Sequence, residues 1–324
     1  MATEQLTGCA ARGARVVDPH RVEYLDCGGY GVPLLGHAHP AVVQAVVGQV
    51  RRPSLLDRLM LDLVTPNGLD HIHTFPSASE AAQFAVALAQ ANGRPRVLTT
   101  GAVPYGGIES LRAVLAAGPP ACVMVEPVRG ISVPPTGYLR AVAQVCRDHG
   151  ALLVVDETRT GLGRLGVWWG VDLDGVTPDI LLVGEGLSGG VLPIAAVVAT
   201  ADVEVPLWRG HDAVSPLASA AVNACLRVTA SEGLVERASL LGDELLLGLR
   251  AAVAGKAYAS GRGLLLGVEL PDQRAADIFT GELLRARVLA DFRGRTVSFT
   301  PPAVMSAADA GWLIEAVGRA AAKI

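Results

Sequence analysis

Two carboxylates follow directly after an apolar stretch of the chain. Ala151–Val155 is predicted to be a buried strand, and Asp156 and Glu157 come immediately after it. The carboxyl ends of strands are where α/β sheets build ligand sites. A buried carboxylate at that position needs a cationic or hydrogen-bonding partner, and a protonated pyridine nitrogen is one such partner. A salt bridge within the loop would satisfy the same carboxylates.

The segment Ser77–Ala81 places small hydroxyl residues where a helix over Ser79–Ala91 is predicted to start. Free backbone amides and the positive end of the helix dipole favour an anion there. A plain N-cap, with Ser77 or Ser79 capping and Glu80 favouring the dipole, explains the same residues. Alone, the segment favours the N-cap, and it indicates an anion site only together with other motifs.

The segment Gly161–Gly166 matches the G-x-G-x-x-G pattern of dinucleotide-binding turns. It begins five residues after Asp156 rather than at the strand end, and Val167–Gly170, which follows, is not a helix start. Because that fingerprint requires strand, turn and helix in direct succession, a nicotinamide dinucleotide site is not expected.

His71 and His73 could place two imidazoles on one face of a strand, as a metal site requires. No third ligand converges on them in the sequence, and His37 and His39 lie in a Gly/Pro turn. We therefore expect a polar strand edge at His71 and no metal site.

The composition is that of a globular protein. Half of the 324 residues are hydrophobic and 18% are charged, which predicts one large domain or two coupled ones. A net charge of −4 without a basic block gives no reason to expect nucleic acid or a membrane as a partner. The first residues lack the apolar core of a secretory signal. The five cysteines are scattered, so reduced thiols and a cytoplasmic location are expected.

The elements that position these motifs alternate along the chain. Short apolar runs separated by helices predict an α/β fold with a mostly parallel sheet covered on both faces. The predicted strands are Arg96–Thr100, Ala121–Val125, Ala151–Val155, Ile180–Val183 and Ile194–Val198, and the predicted helices are Ala41–Val50, Ser79–Ala91 and Gly137–His149. From Pro216 the chain is predicted to be helical to about residue 252, followed by an α+β tail.

Taken in order, short segments of the chain resemble the class III, fold-type I family of aminotransferases that use pyridoxal phosphate (PLP). The likeness covers nearly the whole chain, in the segments Tyr24–Pro40, Ser77–Ala81, Glu126–Leu139, Asp156–Arg164, Thr177–Ile180, Gly184–Gly186, Arg262–Glu269 and Pro301–Pro302. It implies a mostly parallel central sheet flanked by helices, with a smaller α+β domain built from both termini. The implied divisions are an N-terminal arm over 1–45, a large cofactor-binding domain over 46–232 and a small C-terminal domain over 233–324.

The resemblance also implies roles around the cofactor, either PLP or its amine form, pyridoxamine phosphate (PMP). Ala78 and Ser79 are expected to present amides, and Ser79 also a hydroxyl, to the phosphate. Asp156 is expected to pair with the pyridinium nitrogen, which keeps the ring an electron sink. Thr158 is expected to lie against one face of the ring.

On the other ring face the chain departs from the family pattern. Pro104 stands where the family has a stacking aromatic residue, so stacking is weakened unless Tyr105 substitutes. Arg159 stands where the family usually has glutamine, near the phenolic oxygen of the cofactor.

The decisive departure is Glu185, which lies in a Gly-Glu-Gly sequence where the family has Gly-Lys-Gly. The family's lysine forms the Schiff base with PLP and moves a proton between substrate and cofactor carbons, and a carboxylate cannot form an imine. The chain contains only two lysines, Lys256 and Lys323, and neither is near in sequence. Because a buried lone carboxylate is costly, we expect Glu185 to form a charge pair with Arg159.

Two further positions differ from the family. Gly210–Asp212 falls where members supply a threonine to the phosphate of the neighbouring subunit. Ser298 falls where many members have an arginine for the substrate carboxylate, although Arg295 is close by. The resemblance implies a homodimer in which both subunits build each site, and the change near His211 leaves a heterodimer open.

Three functions are compatible with these residues. The first is an enzyme that holds PLP or PMP without a covalent link and uses Glu185, beside Arg159, as acid or base in a lysine-independent reaction on an amino or keto substrate. The second is a catalytically inactive homologue that serves as a partner subunit or ligand sensor. The third is an enzyme that has lost PLP and reuses the pocket. Because Asp156 and Ser77–Ala81 are kept, we favour the first and do not expect ordinary transamination.

Overall fold

The computed structural model describes residues 10–28, 33–52, 64–99, 103–203 and 215–324, which contain fourteen strands and eight α-helices. The strands are β1 (Ala10–Arg12), β2 (Arg15–Val17), β3 (Glu23–Asp26), β4 (Leu69–Phe75), β5 (Arg96–Leu98), β6 (Ala121–Val125), β7 (Leu152–Asp156), β8 (Ile180–Val183), β9 (Ala195–Thr200), β10 (Tyr258–Arg262), β11 (Leu265–Glu269), β12 (Val288–Leu289), β13 (Asp291–Arg293) and β14 (Thr296–Phe299). The helices are α1 (Pro40–Val50), α2 (Ala78–Ala91), α3 (Ile108–Ala116), α4 (Tyr138–Asp148), α5 (Pro216–Ser231), α6 (Leu234–Ala252), α7 (Gln273–Arg285) and α8 (Ala307–Ala321).

The central sheet has six strands in the order β4-β9-β8-β7-β6-β5. Strands β5 to β8 run parallel, and β9 is antiparallel to both β8 and β4. The predicted, mostly parallel sheet is therefore confirmed. Strand β4 carries His71 and His73 at the edge of this sheet, as expected for a polar strand edge. Because β6, β7 and β8 are parallel neighbours, their carboxyl ends meet at one edge of the sheet.

Helices cover both faces of the central sheet. Alternate residues of a strand point to opposite faces, so Leu182 of β8 packs in the cluster that contains Phe84 of α2, whereas Leu181 packs in the cluster of Val142 of α4. Burying each such side chain contributes about 1.5–3 kcal/mol. This two-sided burial explains why the strands are continuous apolar runs rather than alternating ones.

The two ends of the chain come together outside the central sheet. Strand β3 pairs in parallel with β12, so the N-terminal strands β1–β3 join one sheet with a C-terminal strand. A second sheet, β10-β11-β14-β13, packs with α6, α7 and α8 around Leu245, Phe279 and Leu313. A smaller α+β part built from both termini is therefore present, whereas the exact divisions at residues 45 and 232 stay predictions.

The stretch predicted to be helical from Pro216 to about residue 252 is helical and consists of two helices. Helix α5 ends at Ser231 and α6 begins at Leu234, because Gly233 adopts a left-handed conformation with φ of 62°. Glycine takes this conformation without steric cost, and it is the usual way for a helix to end. Among the described residues, no helix is both long and apolar enough to span a membrane.

Candidate active site

Asp156 ends β7 with its carboxylate fixed by a local turn. Its Oδ1 accepts hydrogen bonds from the backbone N–H of Thr158, at 2.9 Å, and from the Thr158 hydroxyl, at 2.6 Å. No other described group bonds to this carboxylate, so Oδ2 is available at the edge of the sheet. A half-buried, oriented carboxylate with a free oxygen is suited to receive a proton-bearing cationic nitrogen.

Glu126 follows β6 and is the neighbour of Asp156 across the parallel strands. Burial raises the pKa of Glu126, and the charge of Asp156 raises it further. The positive charges of Arg159, Arg129 and Arg293 act in the opposite direction. The sequence assigned no role to this residue, although it follows an apolar strand just as Asp156 does. Two adjacent carboxylates therefore face a group of arginines at this edge.

Glu185 begins a short 3-10 helix directly after β8. Its Oε1 accepts a hydrogen bond of 2.8 Å from the backbone N–H of Ala78, at the start of α2. The predicted charge pair between Glu185 and Arg159 is not present, although both residues lie in the described part of the chain. The charge of Arg159 acts instead on Glu126 and Arg164. The backbone amide of α2 thus replaces the guanidinium as the partner of Glu185.

The start of α2 carries both features that the sequence allowed. Ser77 is the N-cap, and its Oγ accepts a hydrogen bond of 3.2 Å from the N–H of Glu80. The neighbouring amide of Ala78 binds an anion, the carboxylate of Glu185. Ser79 is exposed within the first turn and does not cap. The carboxylate of Glu185 therefore occupies the first amide of this helix, and binding of a phosphate at this helix end stays a prediction.

Pro104 and Tyr105 precede α3 in different environments. Pro104 is exposed, whereas the hydroxyl of Tyr105 donates to the carbonyl oxygens of Glu126 and Pro127, at 3.2 and 3.0 Å. Burial raises the pKa of Tyr105, so its hydroxyl stays protonated as a donor. The ring also contacts Tyr138 edge-on, at 5.3 Å between centroids. Tyr105 is thus held against the end of β6, and stacking of either residue on a cofactor stays a prediction.

Glu157, the second member of the acidic pair, turns into the protein interior. It is 1% exposed, accepts a hydrogen bond from the Thr160 hydroxyl, and accepts another of 2.9 Å from the N–H of Val171. Burial raises the pKa of Glu157 to about 7. These bonds hold the glycine-rich turn Gly161–Gly166 against the segment at Gly170, whose backbone leaves no room for a Cβ atom beside Pro127. Within the turn, Gly161 and Gly163 leave no room for a Cβ atom beside Trp169 and Leu34, so these glycines serve packing. The element that follows the turn is a short 3-10 helix, Gly170–Leu173, and not the α-helix of a dinucleotide-binding turn.

A cavity of about 420 Å³ opens beside these strand ends. Three of the predicted site residues, Thr158, Arg159 and Glu185, line it. Ala78, Ser79, Pro104, Tyr105 and Asp156 are not part of that lining. The other lining residues are Gly28, Pro33, Leu34, Leu35, Glu157, Gly161, Leu162, Arg164, Gly186, Cys225, Leu226, Thr229, Asp291, Arg293 and Thr300.

The two positions where the sequence lacks family residues have different outcomes. Gly210–Asp212 lies outside the described residues. Ser298 lies on β14 opposite Asp291, and the nearby Arg295 is turned away, paired with Glu269 at 2.9 Å and donating to Pro271 O at 2.8 Å. The arginine of this hairpin that reaches the cavity is Arg293, which the sequence did not single out.

Neither lysine supplies an amine to the cavity. Lys256 follows α6, and its Nζ donates a hydrogen bond of 2.7 Å to the carbonyl oxygen of Ala321 at the end of α8. Lys323 is exposed just beyond that helix. No group of three His, Cys, Asp or Glu side chains among the described residues is arranged to hold a metal ion.

Comparison with known proteins agrees with the fold and the motifs. The model of the family "Aminotransferase class-III" matches residues 105–321. Acetylornithine aminotransferase of Mycobacterium leprae is 34% identical, over 85% of this chain and 81% of that protein. Two solved structures superpose on the whole chain at 27% identity. Ornithine aminotransferase of Toxoplasma gondii has a TM-score of 0.90 over 91% of its own length, and acetylornithine aminotransferase of Elizabethkingia anophelis has one of 0.89 over 96%. The chain has the fold-type I architecture of these enzymes, and it belongs to the class III aminotransferase family.

Proposed function

We propose that this chain binds PLP or PMP without a covalent link and acts on an amino or keto substrate by a reaction that uses no lysine. The observation that carries the proposal is the pair of strand ends β7 and β8. Asp156 is kept and oriented, while Glu185 stands where the family resemblance places the lysine. Ordinary transamination, which needs that amine for each turnover, is not expected.

One side chain, Asp156, has the chemistry to hold a PLP-type cofactor at its ring nitrogen. Asp156 would hold the pyridinium nitrogen through its free Oδ2, because Thr158 already fixes Oδ1. The amides at the start of α2 would hold the phosphate, once Glu185 has moved away from Ala78. When bound, such a ring supplies an electron sink for negative charge that develops on a substrate carbon.

The remaining chemistry belongs to the side chains around the cavity. Glu185 lines the cavity, and its carboxylate can take or give a proton there once it leaves the amide of Ala78. Arg159 and Arg293 both line the cavity and bring positive charge to it, which favours a substrate that carries a carboxylate. Glu126 and Asp156 supply negative charge close to Arg159 and Arg293, and this charge suits a cationic group such as a protonated ring nitrogen.

A second function, as a catalytically inactive partner subunit or ligand sensor, is favoured by one contact. The bond from Ala78 to Glu185 closes the first amide of α2 within the chain itself. A protein that no longer turned over a cofactor could keep this contact permanently. The third possibility, an unrelated reaction in a pocket without PLP, has no contact of its own to support it.

Titration of the purified protein with PMP and with PLP tests the proposal. We expect saturable binding, seen by absorbance and fluorescence, and no covalent adduct after treatment with borohydride. Asp156→Asn should weaken binding, whereas Asp277→Asn, on the exposed surface of α7, should not. No binding of either cofactor would sink the proposal and favour the partner or sensor function. Sustained multiple turnovers with an amino donor and a keto acceptor would show that ordinary transamination had been rejected wrongly.

A further inference from the structure

The backbone N–H of Ala78 is the first of α2, and it donates a hydrogen bond to the side chain of Glu185, which follows β8. The first four N–H groups of a helix have no partner within the helix. The N-cap Ser77 takes the amide of Glu80, and Glu185 takes that of Ala78 at 2.8 Å. The positive end of the helix dipole stabilises a carboxylate at this place. The contact joins residues 107 positions apart, so it is a tertiary contact rather than a local cap.

Glu185 is held there by little else. Its side chain is exposed, and its bond to Ala78 is the one hydrogen bond that it makes among the described residues. The flanking residues Gly184 and Gly186 carry no side chains that could confine it. An exposed carboxylate with a single partner can rotate to another position at the cost of that hydrogen bond, about 1.5–3 kcal/mol for a bond to a charged group.

From this contact we infer that Glu185 weakens the binding of phosphorylated ligands relative to the same ligands without phosphate. It is an internal anion at the amide that a phosphate ester would use, so a phosphorylated ligand binds only as Glu185 leaves Ala78. The inference rests on the proposed function, because it takes a vitamin B6 compound as the ligand. It adds that the ring and the phosphate of that ligand meet different situations. Asp156 has an oxygen available for the ring nitrogen, whereas the amide of Ala78 is already bonded to Glu185.

Two physical effects make the phosphate and Glu185 mutually exclusive. One N–H group makes one strong hydrogen bond, so both anions cannot take the amide of Ala78 at once. A phosphate group carries a charge of roughly −1.5 to −2 at neutral pH and repels a carboxylate a few ångströms away. Removing the charge of Glu185 should therefore help PMP and leave pyridoxamine, which lacks the phosphate, unaffected.

The experiment measures the affinities of PMP and pyridoxamine, by fluorescence titration, for the natural chain and three variants. Glu185→Gln removes the charge, and Glu185→Ala removes the hydrogen-bond acceptor as well. Glu80→Gln is the matched control, because it removes one negative charge from the same helix end without touching the amide of Ala78. We expect both Glu185 variants to bind PMP about tenfold more tightly or better, with pyridoxamine within twofold. The Glu80 variant should change PMP affinity by less than about threefold.

The outcomes separate this inference from the proposed function. If PMP binds the natural chain and the Glu185 variants equally, or binds the variants more weakly, the inference is overturned while cofactor binding stands. If PMP binds only the Glu185 variants, the inference stands and cofactor binding by the natural chain is wrong. Equal gains for PMP and pyridoxamine would also overturn it, because the effect would not depend on phosphate. If no variant binds either compound, both ideas fail.

Discussion

The ends of β7 and β8 are neighbours in one sheet, yet they keep their acidic side chains in different ways. At β7 the carboxylate of Asp156 is held by residue Thr158, two positions along the chain. At β8 the carboxylate of Glu185 reaches across to Ala78 at the start of another helix. A role that depends on a local turn survives changes elsewhere in the protein. The position of Glu185 depends instead on how α2 packs beside the end of β8, because its partner is a backbone amide 107 residues away.

Among the substitutions that test this difference between the strand ends, Glu185→Lys is expected to have the largest effect, on how the cofactor is attached. Glu185→Lys changes the local charge by two units, frees the amide of Ala78 and restores an amine at the β8 end. With PLP, this variant should absorb in the visible. After reduction with borohydride it should carry one covalently attached cofactor per chain, measured by mass spectrometry. The natural chain should give none. Glu80→Lys, at the same helix end, is the control. A reducible adduct on the natural chain would contradict the distinction between the two strand ends.

Removal of the carboxylate at β7 comes next in size. Asp156→Ala deprives the ring nitrogen of its charged partner, and loss of a charge-assisted hydrogen bond of about 1.5–3 kcal/mol lowers affinity roughly 10- to 100-fold. The measurement is titration with pyridoxamine, which avoids the phosphate and therefore avoids Glu185. Asp277→Ala should leave that affinity unchanged. Undiminished pyridoxamine binding by the Asp156 variant would mean that β7 does not position the ring.

The difference between the two strand ends also marks what the sequence could predict. Asp156 follows a buried strand directly, and an apolar run followed by a carboxylate is visible in one dimension. The partner of Glu185 could not be found this way, because Ala78 comes near only when α2 and β8 are packed in three dimensions. The expectation of Arg159 as partner rested on its opposite charge and on the place that the family resemblance gives it, near the phenolic oxygen of the cofactor. Every residue except proline carries a backbone N–H group, so the residue type at position 78 does not indicate that its amide binds Glu185.

The same reasoning explains which other structural features the sequence could predict and which it could not. Buried strands such as Ile180–Val183 were predicted with their exact bounds, because continuous burial on both faces leaves a continuous apolar run. The sequence did not locate the break at Gly233, since helical periodicity continues on both sides of it and one glycine does not by itself end a helix. The position of Arg293 at the cavity depends on the β13–β14 hairpin, whose register is fixed only by pairing.

Glu157, next to Asp156, allows a test of whether adjacent carboxylates have separate tasks. Burial raises its pKa to about 7 in the folded protein, above the value of about 4.3 in an unfolded chain. The folded state therefore binds more protons between these values, so the free energy of unfolding falls as pH rises from about 4.5 to 7 and is then constant. The expected contribution is on the order of 3 kcal/mol. Glu157→Gln should flatten this part of the stability profile in thermal or urea unfolding, whereas Asp156→Asn should not. A profile unchanged by the Gln substitution would contradict the buried role of Glu157.

The smallest expected effect concerns Thr158, whose hydroxyl donates to Asp156 at 2.6 Å. Thr158→Val keeps the shape of the side chain and the backbone bond of 2.9 Å but removes the hydroxyl donor. The carboxylate then loses one of its two anchors, which costs about 1 kcal/mol of orientation, or roughly fivefold in pyridoxamine affinity. Thr158→Ser keeps the donor and should stay within twofold of the natural chain, since only a methyl group is lost. If the valine and serine variants weaken binding equally, the methyl contact matters rather than the hydrogen bond. The carboxylate at β7 would then be positioned by contact of the methyl group, whereas its neighbour at β8 is positioned by a hydrogen bond.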